Sequence, residues 1–338
     1  MIFNNHNNSF FRPKFIFLIS AYASIIFLFG CGGISKDETE DFGEPSTNTR
    51  GGIVVTTTHL YDLATRITNG RFSITSLMGP GVDPHIYKPT SRDILALSKA
   101  SLVIYHGMML EGRLSEALAH GKQKGISIYN ATSSLADTQI ISTNKNNSSQ
   151  LHPDPHVWFD PKIWAFIVKE FTNKITEYAP SEKEVFKKNA EVFLEEIKKI
   201  EQWGLNEIKK IPSEQRTIVT SHDAFQYFGR SMGLKVVALQ GISTTAEAGL
   251  GDRANLVDLI RKYKIPAIFI ESSVNPSAIE EIAKECNVVV GGELFSDALG
   301  SKEEFAIGPN GTQYRANTWE GMMVHNINTI VKALSRKR

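Results

Sequence analysis

Short apolar, β-branched runs alternate with segments of helical periodicity from residue 52 onward. In the first half of the chain the predicted strands are residues 53–58, 72–78, 101–107 and 126–132, and amphipathic segments of helical spacing lie between them. Strands that alternate with helices are typical of parallel βαβ units. This half is therefore predicted to be an α/β lobe with a four-stranded parallel sheet.

The same alternation returns after Pro212. The predicted strands of the second half are residues 216–221, 235–240, 267–272 and 288–295, again separated by helical segments. The two halves resemble each other in pattern and not in residue identity. The sequence therefore predicts two α/β lobes, each with a four-stranded parallel sheet.

Between the halves, residues 181–211 form a charged segment with apolar residues near helical spacing and no proline. As a helix, this segment would be a rod of roughly 45 Å at 1.5 Å per residue. Its position predicts one long rigid helix that connects a lobe over residues 52–180 to a lobe over residues 212–338. The alternative is a helix packed wholly on one lobe.

The N-terminal residues have a different character from the rest. Arg12 and Lys14 precede an uncharged apolar run over residues 15–30, which is typical of a secretory signal and short for a membrane span. The run ends in Leu28-Phe29-Gly30-Cys31, which resembles a bacterial lipobox. This implies a signal peptide over residues 1–30, lipidation of Cys31 and a polar tether over residues 31–51. An ordinary signal peptide or a membrane anchor are the alternatives.

Composition adds two constraints. The formal net charge of the 338 residues is +1, so no strong field indicates a nucleic-acid partner. Only two cysteines are present. If Cys31 carries lipid, no intramolecular disulfide can form, and Cys286 is predicted to be a buried small apolar residue.

Candidate metal-binding side chains follow the strands, where ligands of parallel sheets bind. His85 and His156 lie in loops of the first half, whereas His222 and Asp297 come directly after strands of the second half. If the lobes face each other, all four meet in one cleft. Imidazole and carboxylate suit a first-row divalent metal, and four protein ligands would fill a tetrahedral shell. A metallohydrolase would leave one position for water.

A repeated tripeptide supports the two histidines of the first half. Asp-Pro-His occurs at residues 83–85 and again at residues 154–156, and the proline restrains the backbone before each imidazole. His152 is a weaker candidate ligand in the same polar loop as His156. The remaining histidines of the predicted lobes are interpreted as structural or solvent-exposed, namely His59, His106, His120 and His325.

Four segments in order, GVDPHIYKPTSRDI, DPHVWFD, VTSHDAFQYFGRSMG and GGELFSDALG, resemble the TroA-like metal-binding lipoproteins, the substrate-binding components of ATP-driven (ABC) zinc and manganese importers. The resemblance covers residues 52–336. It implies two lobes joined by one long helix, a metal between them, and His85, His156, His222 and Asp297 as its ligands. Glu271, at a strand tip, is a candidate to orient a ligating histidine, or else to cap a helix or form an inter-lobe salt bridge.

The resemblance also implies the biology. We expect an exported, lipid-anchored, monomeric protein on the periplasmic or cell-surface side of a bacterial membrane, with the permease and ATPase of an importer as partners. A zinc-dependent metallohydrolase and a surface adhesin are the alternatives. The Asn/Ser-rich loop over residues 137–151 contains no histidine, unlike the His-rich loop of zinc-specialised relatives. We therefore favour Mn²⁺ as cargo over Zn²⁺, with Fe²⁺ also possible, although affinity order favours zinc.

Overall fold

The computed structural model describes residues 50–143 and 152–335. Cys31, the predicted signal peptide and nearly all of the predicted tether lie outside the described residues, as does most of the Asn/Ser-rich loop. Of the helices in the described ranges, none is both long enough and apolar enough to cross a membrane.

The first half contains one parallel sheet with the strand order β2-β1-β3-β4. Its strands and helices are β1 (Arg50–Val55), α1 (Thr58–Thr68), β2 (Phe72–Ser76), α2 (Ser91–Lys99), β3 (Leu102–Tyr105), α3 (Ser115–Gln123) and β4 (Ile128–Asn130). All four predicted strands are present. Each ends two or three residues earlier than predicted.

Two long helices and a small ladder follow this sheet. The elements are β5 (Ser142–Thr143), β6 (His152–Pro153), α4 (Pro161–Tyr178) and α5 (Lys183–Ile208). Helix α4 begins at Pro161, because the Asp160 side chain accepts hydrogen bonds from the backbone N–H groups of Lys162 and Ile163 and the proline fits the first turn.

The second half also contains the four predicted strands. Its elements are β7 (Thr217–Thr220), α6 (Gln226–Met232), β8 (Lys235–Ala238), α7 (Leu250–Tyr263), β9 (Ala267–Glu271), α8 (Ser277–Cys286), β10 (Val289–Leu294), β11 (Phe305–Ile307), β12 (Gln313–Arg315) and α9 (Trp319–Leu334). Hydrogen bonds join β7 to β8 and β9 to β10 as parallel pairs, and β7 packs beside β9. The sequence predicts one four-stranded parallel sheet in this half, whereas hydrogen bonds join its strands as two separate parallel pairs. The antiparallel β11–β12 hairpin was not predicted.

Helix α5 contacts both halves of the chain. It packs on α1 and α4 from the first half and on α9 and α6 from the second. Its buried residues recur at intervals of three and four, as expected for one continuous apolar stripe: Phe186, Ala190, Phe193, Ile197, Ile200, Gly204 and Ile208. This arrangement excludes the alternative of a helix packed on one lobe only.

The main apolar core is continuous across the two halves. It includes Trp158 and Trp164 from the first half, Phe228 and Trp319 from the second, and the buried stripe of α5. Smaller cores lie under α2 and α3 and between α7 and α8. The α/β fold class is confirmed, whereas the residue boundaries of the lobes stay a prediction. Cys286 is half-buried and not fully buried as predicted.

Candidate metal centre

The four predicted ligands come together in one buried cluster. One ligand atom from each of His85, His156, His222 and Asp297 lies within 4.8 Å of the others. The first three residues are 3%, 0% and 0% exposed, and Asp297 is 1% exposed. His85, His222 and Asp297 follow the parallel strands β2, β7 and β10, as the sequence predicts, whereas His156 follows the antiparallel ladder of β5 and β6.

The donor atoms point at a common centre. The Nε2 atoms of His85 and His156 are 3.3 Å apart. Asp297 has Oδ1 at 3.2 Å from Nε2 of His156 and Oδ2 at 3.3 Å from Nε2 of His222. Ligands about 2.0–2.2 Å from a tetrahedral metal are about 3.3–3.6 Å from one another. The observed spacing therefore fits a first-row divalent cation.

Carboxylates fix the orientation of two of the imidazoles. Nδ1 of His156 lies 2.7 Å from Oδ1 of Asp154, and Nδ1 of His222 lies 2.6 Å from Oε2 of Glu271. All four of these side chains are fully buried. Because each carboxylate faces Nδ1, the Nε2 atom of each ring is turned toward the centre.

The Asp-Pro-His repeat has a direct structural role. Asp83 Oδ1 accepts the backbone N–H of His85 at 2.8 Å, and Asp154 Oδ1 accepts the backbone N–H of His156 at 3.0 Å. The proline was predicted to restrain each histidine, and the contribution of the aspartate was not predicted. The repeated Asp two residues before each histidine was the signal, since Asp side chains commonly bond backbone N–H groups two residues on.

The carboxylates around the cluster favour the protonated form of two of its imidazoles. Burial lowers the pKa of His156, but the carboxylates of Asp154 and Asp297 outweigh it, and the pKa rises to about 9. The pKa of His222 is also raised well above its ordinary value, because Glu271 and Asp297 outweigh burial. Burial acts to raise the pKa of Asp297, yet the two imidazoles hold it well below its usual range.

His85 differs from the other two imidazoles. Burial lowers its pKa to about 3, so the ring is neutral at physiological pH. His85 also lines a cleft of about 830 Å³, whose other walls include His152 and the segment after β8. His152 is exposed on β6 and is not part of the four-residue cluster.

The other histidines lie apart from the four donors. His59 stacks on Trp158 with ring centroids 4.3 Å apart, and His106 meets the same indole edge-on at 4.9 Å. Both are fully buried, and burial lowers the pKa of each to about 3. His120 is exposed on α3, and Nε2 of His325 lies 2.9 Å from the carbonyl oxygen of Glu293.

Nearly all of the described chain is similar to known proteins. The family model "Zinc-uptake complex component A periplasmic" matches residues 53–333. The chain is 38% identical over 313 residues to the manganese-binding lipoprotein MntA of Bacillus subtilis, covering 91% of this chain and 95% of that relative. It is 36% identical over 307 residues to the zinc-binding protein TroA of Treponema pallidum, covering 89% and 92% of the two chains.

A solved structure gives the same result. The periplasmic zinc-binding protein TroA from Treponema pallidum superimposes with a TM-score of 0.77 at 34% sequence identity. The match covers 85% of this chain and 100% of that one.

Proposed function

The chain belongs to the zinc-uptake component A family of metal-binding proteins that serve ABC importers, and we propose that it captures a divalent transition metal outside the cytoplasmic membrane and delivers it to such an importer. One observation carries the proposal. Three imidazoles and one carboxylate, drawn from both halves of the chain, bring their donor atoms within 4.8 Å of one another in a buried site.

In this proposal His85, His156, His222 and Asp297 are the ligands, and Asp154 and Glu271 orient His156 and His222. Four protein donors complete a tetrahedral shell, which favours capture over catalysis because a hydrolytic zinc site keeps one position for water. The metallohydrolase alternative therefore has less support than the carrier, and no contact of the described residues favours the adhesin.

The cargo is manganese or zinc, and we favour manganese. The relatives support both metals, since one is named for manganese and the other for zinc. A carboxylate ligand suits manganese. A site of this kind nevertheless binds zinc more tightly than manganese by the general order of affinity. Metal content of protein purified without added metal, followed by competition titrations with Mn²⁺, Zn²⁺ and Fe²⁺, distinguishes the three cations.

Alanine substitution of each proposed ligand tests the site. Replacing His85, His156, His222 or Asp297 should lower metal affinity at least about tenfold, because each removes one of four bonds to the cation. His120→Ala and His325→Ala are the matched controls and should bind as the parent does. Equal losses in both sets, with folding preserved, would show that the metal binds elsewhere.

We further propose that the chain is a monomer held at the membrane by lipid on Cys31. The anchor is supported by the manganese-binding relative, which is itself a lipoprotein. Cys31→Ala should release the protein from the membrane or leave it unprocessed. Recovery of a peptide that begins at Met1 from membrane-associated parent protein would contradict the anchor.

A further inference from the structure

The proposed ligands are held in different ways. The rings of His156 and His222 each face a buried carboxylate through Nδ1. The 2.8 Å contact that holds His85, in contrast, is made by its backbone N–H and not by its ring. His85 also borders the 830 Å³ cleft. The position of this ligand therefore depends on what holds its loop.

Asp83 holds that loop and is shared between the two halves of the chain. Its Oδ1 accepts the backbone N–H of His85, and its Oδ2 accepts the hydroxyl of Thr244 at 2.5 Å. Asp83 is only 9% exposed. Thr244 lies 161 residues away, in the irregular segment over residues 239–249 between β8 and α7, so this hydrogen bond joins the two halves of the chain.

The same segment is fastened to the loop of another proposed ligand. The carbonyl of Gly241 accepts the backbone N–H of Asp223 at 3.1 Å, and Gln240 donates its N–H to the carbonyl of Ser221 at 2.9 Å. Ser221 and Asp223 flank His222. Hydrogen bonds thus join the loop of His222 to one end of this segment, and the Thr244–Asp83 bond joins the same segment to the loop of His85, without passing through the metal position.

We propose that the Thr244–Asp83 hydrogen bond is a latch that positions His85 and controls how fast the metal leaves. While the bond is intact, the backbone of His85 is tied to the opposite half and its ring stays on the centre. Without the bond, the loop of His85 opens toward the cleft more often, so the metal leaves sooner, although all four donors still bind the cation in the resting state. Thr244 and Asp83 are positioning residues and do not contact the metal. The inference rests on the proposed function.

The test is the dissociation rate of Zn²⁺ from full-length protein mixed rapidly with excess chelator. Thr244→Val keeps the shape and removes the hydroxyl, and it should raise the rate about three- to tenfold, the factor expected for one net hydrogen bond. Thr244→Ser keeps the hydroxyl and should restore the parent rate. Thr245→Val is the matched control, because the Thr245 hydroxyl contacts Ser243 within the segment, and it should leave the rate unchanged.

Two further measurements on Thr244→Val distinguish the positioning of His85 from a general loss of structure. The visible spectrum of the Co²⁺-loaded Thr244→Val variant should match that of the parent, because all four donors remain. The melting temperature of its metal-free form should fall by no more than the few degrees that one hydrogen bond accounts for. If Thr244→Val does not fold, Thr244→Ala replaces it in the same comparison.

Equal dissociation rates for Thr244→Val and Thr245→Val would overturn the latch and leave the proposed function intact. An altered Co²⁺ spectrum would also overturn it, since Thr244 would then act on the donor set itself. A parent protein that takes up neither Zn²⁺ nor Co²⁺ would instead refute the proposed function, and the latch with it.

Discussion

Asp83 and Asp154 explain, at the scale of single residues, why the Asp-Pro-His tripeptide occurs twice. Each aspartate accepts the backbone N–H of the histidine two residues later. Asp154 additionally faces the ring of its histidine, whereas Asp83 turns its second oxygen to Thr244. One local motif therefore serves two purposes, ring orientation at His156 and attachment to the other half at His85.

Removing the orienting carboxylates should weaken binding without removing a ligand. Asp154→Asn and Glu271→Gln each lose a negative charge behind an imidazole, and metal affinity should fall about 10- to 100-fold. Glu280→Gln, exposed on α8, is the control for loss of a carboxylate and should bind as the parent does. Competition titration gives the affinities, and unchanged affinity in both buried variants would mean that the carboxylates only support the fold.

Metal binding should be strongly coupled to proton release. An imidazole ligates only when neutral, and the pKa of His156 in the metal-free site is raised to about 9, that of His222 well above its ordinary value. Apparent affinity should therefore rise with pH through neutrality toward about pH 9, with up to about two protons released per metal near pH 7. Calorimetry in buffers of different ionisation enthalpy counts these protons.

The stability of the metal-free fold should depend on pH in the opposite direction from metal affinity. Because the pKa of His156 is higher in the folded than in the unfolded state, its pairing with carboxylates stabilises the fold fully below about pH 6.5. This contribution is lost as pH rises through about 9.

For the metal-binding prediction, a metal affinity that stays constant between about pH 7 and pH 9 would contradict the protonation assigned to His156 and His222.

At the scale of elements, helix α5 is continuous through Gly204. This glycine allows close packing of the neighbouring helices. A Cβ atom there would lie 2.6 Å from Cδ1 of Ile327 on α9 and 3.4 Å from Sδ of Met232 on α6. The glycine lets two helices of the second half approach the connecting helix.

Gly204→Ala should therefore destabilise the protein although alanine favours helices. The gain in helix propensity is about 1 kcal/mol, and overpacking costs about 1–3 kcal/mol, so the free energy of unfolding should fall by about 1 kcal/mol. Gly251→Ala on α7, where nothing lies within 4 Å of the added carbon, should instead stabilise by up to about 1 kcal/mol. Denaturant unfolding measures both. A stabilised Gly204→Ala variant would show that the Ile327 side chain can move away from the added carbon without a cost in free energy.

At the scale of the whole molecule, an ion-pair cluster joins the halves away from the metal position. Arg66 of α1 donates to both carboxylate oxygens of Glu320 on α9, at 2.6 and 2.5 Å, and to Asp62 at 2.7 Å. Its guanidinium also lies over Phe193 of α5 at 4.5 Å. The cluster therefore ties one helix from each half to the connecting helix.

Arg66→Met should lower the free energy of unfolding by about 2 kcal/mol, because it leaves the Glu320 carboxyl buried without its partner. Burial already raises the pKa of Glu320 to about 7 beside Arg66, so protonation of this carboxyl limits the loss. Arg71→Met is the control. Its bridge to Glu182 is about one-third exposed on both sides, and its removal should cost less than about 1 kcal/mol. Equal losses of unfolding free energy in Arg66→Met and Arg71→Met would mean that the buried cluster stabilises the fold no more than an exposed ion pair does.

Metal should stabilise the molecule without a large change in its dimensions. The ligands come from both halves, so bound metal adds about 2.7 kcal/mol at a concentration 100 times Kd, and the melting temperature should rise. The continuous core, the Arg66 cluster and the unbroken α5 oppose a wide hinge movement. Small-angle scattering with and without Zn²⁺ measures the movement. A change of several ångströms in radius of gyration would contradict the rigid connection.

The sequence by itself determined the eight parallel strands, the long helix between the halves and the four residues of the candidate site. All three follow from local rules: the period of apolar residues identifies strands and helices, and parallel strands carry their following loops to one edge of a sheet. The choice of His85, His156, His222 and Asp297 needed no knowledge of the contacts between the halves.

Only the tertiary structure decided which groups hold those residues. Thr244 and Asp83 are 161 residues apart, and Arg66 and Glu320 are 254 apart. No periodicity relates such pairs, because their proximity depends on how the two halves pack around α5. The core that runs through both halves was likewise beyond sequence reasoning, since apolar periodicity shows that a face is buried and not which surface buries it.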